Sequence, residues 1–293
     1  MSLLKRIWSV TWRILVFVLL WAGLSTPLVL PVISKTVPHG GALPLWLRLY
    51  IETVSAITIL IAAWVMLRFV DRRSFISLGF GNRNLLRDSL IGLAVGLGMM
   101  TACAVLLLIF GWATWSASGT FAQSALAMAT LAMLINTVTQ EVMVRGYAQQ
   151  TIQSRFGAMN GVIFSALFFL TLHVGAIQNQ ILPAISLFAA GILLGAAYAV
   201  SRNLWLPIAL HFGWNVLQGP VLGQPVSGQA LDAGSRLLQI AGPPLMTGGK
   251  FGIEGGLIAI AITILGTPLV LLIYRQRTKK VGSRTRAIGI SRG

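Results

Sequence analysis

Apolar positions along the chain fall in long unbroken runs divided by short basic turns, with neither strand alternation nor a polar stripe to give each run a wet face. About 20 apolar residues rising 1.5 Å each match a hydrocarbon core of roughly 30 Å, so such runs predict membrane-spanning helices. Eight segments approach that length: 14–33, 49–67, 90–112, one from about 126, 161–181, 184–200, the short 204–217, and 255–274. The fourth is apolar to Ile135 and then turns polar through "NTVTQEVMVRGYAQQTIQSR" while keeping a helical composition. The pattern therefore predicts an all-α polytopic membrane protein with about eight transmembrane helices, 1–293 forming a single membrane domain.

Composition strengthens this reading. Of 293 residues, 56% are hydrophobic and 10% charged, with a mean hydropathy of +0.83; soluble domains carry roughly 25% charged residues, which excludes an ordinary water-soluble fold. Lys and Arg number 22 against 6 Asp and Glu. That excess sits in turns and tails, and no stretch is polar enough to be a nucleic-acid recognition module, so no nucleic-acid partner is expected. Cys103, the one cysteine, lies in an apolar run, which leaves no disulfide framework or thiolate cluster. The first apolar run is too long for a cleavable signal and lacks a small-residue cleavage site.

Loop charge sets the orientation. Lys5, Arg6 and Arg13, then Arg68, Arg72, Arg73, Arg83 and Arg87, then Arg155 and Arg202, and the tail 275–293 with Arg275, Arg277, Lys279, Lys280, Arg284, Arg286 and Arg292 fall on one face of an eight-span chain. The opposite loops hold Lys35, His39, Arg48, Asp232, Arg236, Lys250 and Glu254. The positive-inside bias predicts a plasma-membrane protein of bacterial type with both termini and the basic tail in the cytoplasm, the tail reading first as a positive-inside anchor and second as a contact to anionic lipids. The Gly-, Pro- and Ser-rich stretch 218–250 reads as a flexible connector, and the Gly- and Ala-rich runs "GLAVGLGMM" and "AAGILLGAAYA" as close helix contacts.

Charged and strongly polar groups inside a span are costly and face a protein interior or a water-filled cavity. Glu52, Glu141, His173 and His211 are the acidic and histidine residues in spans. A turn near Phe156 and Gly157 puts Glu141 and His173 at matching depth, roughly 22 to 24 Å from it along their helices. Glu141 and Arg145 are i,i+4 and can pair; His211 and Asn215 share a face for the same reason, and Phe169 precedes His173 by one turn. Two imidazoles and an amide at one depth can bind a water and donate to an oxyanion, although a pair and a few amide bonds can equally lock a bundle. Arg48 and Glu52, also i,i+4, read as a mutually satisfying structural pair.

The stretches "QEVMVRG" (140–146), "SALFFLTLH" (165–173) and "LWLPIALHFGWN" (204–215) resemble the three ordered motifs of the CPBP family, the CAAX proteases and bacteriocin-processing enzymes also called the Abi family, with its Rce1-type prenyl-protein proteases. The likeness is strong over about 136–217, inside a family-like core of about 126–217. It implies an intramembrane endopeptidase, named in the family as a metalloprotease. It further implies that Glu141 and Arg145 carry the first motif, Phe169 and His173 the second, and His211 and Asn215 the third, as an oxyanion site. Gln140 stands where the family has the first glutamate of Glu-Glu-x-x-x-Arg, the residue that activates water together with the second-motif histidine.

Glutamine has no basic carboxylate, so it can orient a water but not take its proton. Either Glu141 or His173 becomes the base, or the enzyme is slow, or the chain keeps only a membrane immunity, binding or assembly role. No cofactor is firmly implied. A divalent metal such as zinc would need His173, His211 and an inward-pointing Glu141. The substrate implied is a peptide or a lipid-proximal protein. Reporter fusions after residues 80, 157, 202 and 285 are expected to read cytoplasmic and those near 40, 118 and 230 external; an external signal at 202 with a cytoplasmic one at 230 would contradict the orientation.

Overall fold

The computed structural model describes residues 2–37, 43–116, 122–177, 180–230 and 237–290, with side chains described through Arg275. The loop charges His39, Asp232 and Arg236 and the tail charges beyond Arg275 lie outside the described residues or side chains. Helices dominate: α1 Leu3–Thr36, α2 Leu45–Asp71, α3 Leu85–Ile109, α4 Gln123–Phe156, α5 Ala158–Thr171, α6 Ile181–Ser201, α7 Trp205–Val216 and α8 Leu257–Ile290. Two three-residue strands, β1 Ala113–Trp115 and β2 Leu238–Ile240, pair antiparallel as an addition to the helical frame.

Six of these helices, α1, α2, α3, α4, α6 and the Leu257–Arg275 part of α8, are long and apolar enough to cross a membrane. This corrects the eight expected from the runs. The segments 161–181 and 204–217 do fold as helices, but α5 has 14 residues and α7 has 12, which rise only about 21 and 18 Å. Apolarity continues past the helix end in "LHVGAI", and so overstates the length of α5. Here Thr171 Oγ1 turns back to donate to the Phe168 carbonyl at 2.7 Å, and His173 Nδ1 engages the Phe169 carbonyl at 2.9 Å.

The connections sort into two groups. On one side Arg13 Nε donates to Asp71 at 3.0 Å, Tyr147 Oη donates to the same carboxylate at 3.0 Å, and the Leu204 N–H donates to the Gly79 carbonyl at 3.0 Å. On the other, β1 meets β2, and Arg48 donates to the Gln229 side chain. In its described residues, 218–230 and 237–250, the stretch read as a flexible connector carries regular local structure. At its start Leu217–Val221 forms a π-turn, further on Val226 and Gln229 bridge across a tight turn, and Leu238–Ile240 is a strand. Ser227 and Gly228 at the centre of that turn have φ of 48° and 74°, the pairing a two-residue hairpin turn with right-handed twist requires.

Small residues set the helix spacing. At Gly96 of α3 a Cβ would stand 2.1 Å from the Leu210 carbonyl oxygen of α7, and at Gly191 of α6 one would stand 2.7 Å from the Ala166 Cα of α5. Close backbone approach is what such residues supply in lipid, where burial of apolar surface between helices contributes little. Gly98, two positions from Gly96, meets nothing within 4 Å. Overpacking costs about 1 to 3 kcal/mol, so Gly96→Leu is expected to lower the thermal midpoint of the purified protein by several degrees while Gly98→Leu leaves it unchanged; equal midpoints would contradict the α3–α7 packing.

Candidate active site

Regular α-helical geometry in α4 ends at Glu141, and Val142–Gln149 follows as a π-helix. Such wide turns accompany functional positions in helices because they re-aim side chains. Glu141 and Arg145 are both fully buried, and Arg145 Nη1 donates to Glu141 Oε1 at 2.8 Å. The same oxygen takes a second bond, 2.8 Å from His211 Nδ1 of α7. A carboxylate oxygen only accepts, so that ring nitrogen carries the proton and Nε2 is the nitrogen left to the site.

Arg145 is held from two more sides. Nη2 reaches the Gly191 carbonyl at 3.3 Å, and the guanidinium lies 4.6 Å from the centre of the Phe169 ring. Phe169 in turn stands 4.7 Å from the ring of His173 and 5.8 Å, edge-on, from that of His211. The family-like residues of α4, α5 and α7 are thus assembled around one aromatic ring. His173, just beyond the end of α5, has its Nδ1 on the Phe169 carbonyl, which leaves its Nε2 free in the neutral form.

A cavity of about 220 Å³ lies over this cluster, lined by Gln140, Asn136, His173, His211, Asn215 and Arg48, with the 226–229 turn as its roof. Gln140 faces it and Glu141 does not: Glu141 sits behind His211, wholly buried, while Gln140 Nε2 donates to Asn136 Oδ1 at 2.9 Å and its Oε1 finds no partner among the described residues. A second, smaller cavity of about 50 Å³ shares His211, Asn215 and Ser227 with the first.

The donors needed for zinc do not come together. Each imidazole keeps its Nε2, but Glu141 lies fully buried behind His211 and does not line the cavity, and among the described residues no group of three His, Cys, Asp or Glu side chains is placed to share a metal ion. His173, His211 and Glu141 therefore do not fit the three-ligand site their residue types suggested.

Sequence reasoning missed part of the lining. Asn136 lies four residues before Gln140 on the same helix face, a spacing that was there to be read. Arg48 and Glu52 do pair, at 3.8 Å, but Asn136 Nδ2 donates to Glu52 at 2.9 Å, so the pair is the outer end of a polar chain that runs to Gln140. Ser227 and Gln229 come from the 218–250 segment taken as a connector, Glu254, read only as a loop charge, lines the smaller cavity from just beyond it, and no spacing rule links them to the motifs.

The family model of the type II CAAX prenyl endopeptidase Rce1-like proteins matches residues 121–217, the segment that carries all three motifs. This match is consistent with the wider CPBP and Abi grouping. No curated protein and no solved structure matches the chain. Removing one partner of a buried ion pair strands the other, at about 3 to 5 kcal/mol, whereas a partly exposed pair contributes about 1 kcal/mol or less. Arg145→Ala is accordingly expected to lower the thermal midpoint in detergent well below that of Arg48→Ala, and equal midpoints would remove Glu141–Arg145 as a structural anchor.

Proposed function

We propose that this chain, whose 121–217 segment is Rce1-like, is an intramembrane endopeptidase in which His211, aligned by Glu141, is the general base. The observation that carries this reading is the 2.8 Å bond from His211 Nδ1 to the buried Glu141, with His211 itself on the wall of the polar cavity. A carboxylate behind an imidazole fixes the tautomer and stabilises the imidazolium that forms.

The steps follow from the donors and acceptors present. His211 Nε2 takes one proton of a water while His173 Nε2 accepts its other O–H and the Gln140 amide stands beside it on the cavity wall. The water oxygen bonds to the scissile carbonyl carbon, and the Asn215 amide donates to the oxyanion that results. The C–N bond then breaks, and the leaving nitrogen takes the proton back from His211 Nε2. Gln140 orients the water and carries no proton; Glu141 and Arg145 position His211 and touch no substrate.

The substrate class proposed is a peptide or a membrane-associated protein cleaved near its lipid-embedded end, in a plasma membrane of bacterial type, with both termini cytoplasmic. The division of the connections into a basic group and an opposite group supports that orientation. An amide at position 140, inside the cavity, also favours a second reading: a member that binds such a segment and does not cut it, acting as an immunity or assembly factor.

Peptide release in matched bilayers separates the two. Native protein is expected to cleave with His211 as its base and Gln140→Glu to cleave at least as fast, whereas loss of the base is expected to cost roughly 10² or more, since an effective general base contributes about 10² to 10⁴ in rate. Glu141→Gln and His211→Ala are expected to lose release. No release from native or any variant, with peptide binding kept in all, would sink the endopeptidase and leave the binding factor.

A further inference from the structure

Arg48 is a cation on the wall of the main cavity to which the steps above give no part. It stands in the first turn of α2, outside the Rce1-like segment, and its side chain is 14% exposed. Two contacts hold it there. Nη2 donates to the side chain of Gln229, in the turn that roofs the cavity, and Nη1 stands 3.8 Å from Glu52, one turn further along α2.

Neither contact uses up the guanidinium. At 3.8 Å the Glu52 oxygen is an ion partner beyond hydrogen-bond reach. Glu52 is not part of the cavity wall, and its Oε2 accepts instead from the Asn136 amide at 2.9 Å. A guanidinium carries five N–H donors, and among the described residues Gln229 engages one of those of Arg48. The remaining donors border a polar space and have no acceptor of opposite charge on its wall.

The rest of that wall is without a fixed charge. Among the described residues lining the cavity, Arg48 is the one side chain that is permanently ionised; the others are amides, one hydroxyl, the two imidazoles and apolar groups. With glutamine at 140, no acidic side chain is among them. A partly enclosed cation gains most from a partner that is itself charged and hydrogen-bonded, and the planar fork of arginine matches the two oxygens of a carboxylate. A space of about 220 Å³ is roughly 6 Å across, and an extended chain advances about 3.3 to 3.6 Å per residue, so a carboxylate on Arg48 falls within a few residues of the bond that reaches His211.

We infer that Arg48 is a specificity-determining residue, which binds a carboxylate of the substrate close to the bond that is cut. This rests on the reading of the cavity as a substrate site and names the class of peptide it takes: one with a free C-terminal carboxylate or an acidic side chain a few residues from the scissile bond. Gln229 holds the guanidinium from the roof and Glu52 balances its charge from behind, so the fork is in place before the peptide arrives. The chemistry at His211 is unaffected; Arg48 decides what is presented to it.

The experiment measures the binding of three N-palmitoylated, fluorescent peptides of one Ala-Leu sequence to native, Arg48→Gln and Arg48→Lys proteins in lipid nanodiscs. The peptides end in a free carboxylate, in an amide, or in an amide with a glutamate two residues before it. Native protein is expected to bind at least one carboxylate peptide about tenfold or more tighter than the neutral one, the scale of a charge-assisted hydrogen bond. Tighter binding of the free carboxylate assigns a chain end as the ligand, and tighter binding of the glutamate peptide a side chain. Arg48→Gln is expected to reduce the preference below twofold with the affinity for the neutral peptide unchanged, and Arg48→Lys, which keeps the charge and loses the fork, to retain part of it.

Native protein that binds the three peptides alike, or binds none, would overturn the inference. So would a preference that survives in Arg48→Gln, and so would an equal loss for all three peptides, the mark of a purely structural role. Binding is read without turnover, so an Arg48-dependent preference in a protein that releases nothing sinks the endopeptidase alone. Where release is seen, Arg48→Gln is expected to raise KM for the carboxylate peptide about tenfold and leave kcat within twofold, as loss of an interaction made equally in ground and transition states does, and an unchanged KM overturns the role of Arg48 while the endopeptidase stands.

Discussion

One oxygen atom organises this molecule. Glu141 Oε1 accepts from Arg145 within its own helix and from His211 of α7, at 2.8 Å in each case, in a place where none of the carboxylate is exposed. A buried charge persists only if paired and hydrogen-bonded, so the helices that supply the donors must sit where those bonds close. Arg145 extends the constraint to α6 through the Gly191 carbonyl and to α5 through the face of Phe169. Four helices are thus referenced to a single carboxylate, and the orientation of the His211 ring is a by-product of satisfying that charge.

Short helices make room for chemistry beside this anchor. α5 stops at Thr171 and α7 passes into a π-turn at Leu217, so each gives up its backbone pattern inside the bundle. Backbone freed at such depth is tolerated where it lines a cavity or is buried in protein. His173 occupies the residue just past one such stop, and the turn at 226–229 folds over the other. The full-length helices α2 and α4 close the remaining wall with the polar chain from Arg48 through Glu52 and Asn136 to Gln140.

The chain's spanning character was legible because every face of its long runs is apolar, and the clustering of Glu141, His173 and His211 was legible because charge inside a span demands a partner. The i,i+4 pairing of Glu141 with Arg145 followed from helix geometry, even though a π-helix begins immediately after Glu141. Helix ends were not legible: "LHVGAI" is as apolar as a span, and only the local bonds of Thr171 and His173 show where α5 stops. Which of Gln140 and Glu141 faces the cavity was not legible either, since adjacent helical residues differ by about 100° and the pattern leaves the rotation open. Glu254 escaped because its place beside His211 is made by a turn 43 residues further along the chain, held by Ser227 and Ser186 and by no periodic signal.

The central claim is that Glu141 fixes the tautomer of His211 and so points Nε2 at the cavity. Solid-state 15N NMR of ring-labelled histidine in bilayers, with His211 assigned by comparison with His211→Gln, reads this directly. The account predicts a protonated Nδ1 in His211 that is strongly hydrogen-bonded in the native protein and loses that bond in Glu141→Gln. A His211 ring with its proton on Nε2 and a bare Nδ1, unchanged by Glu141→Gln, would contradict it.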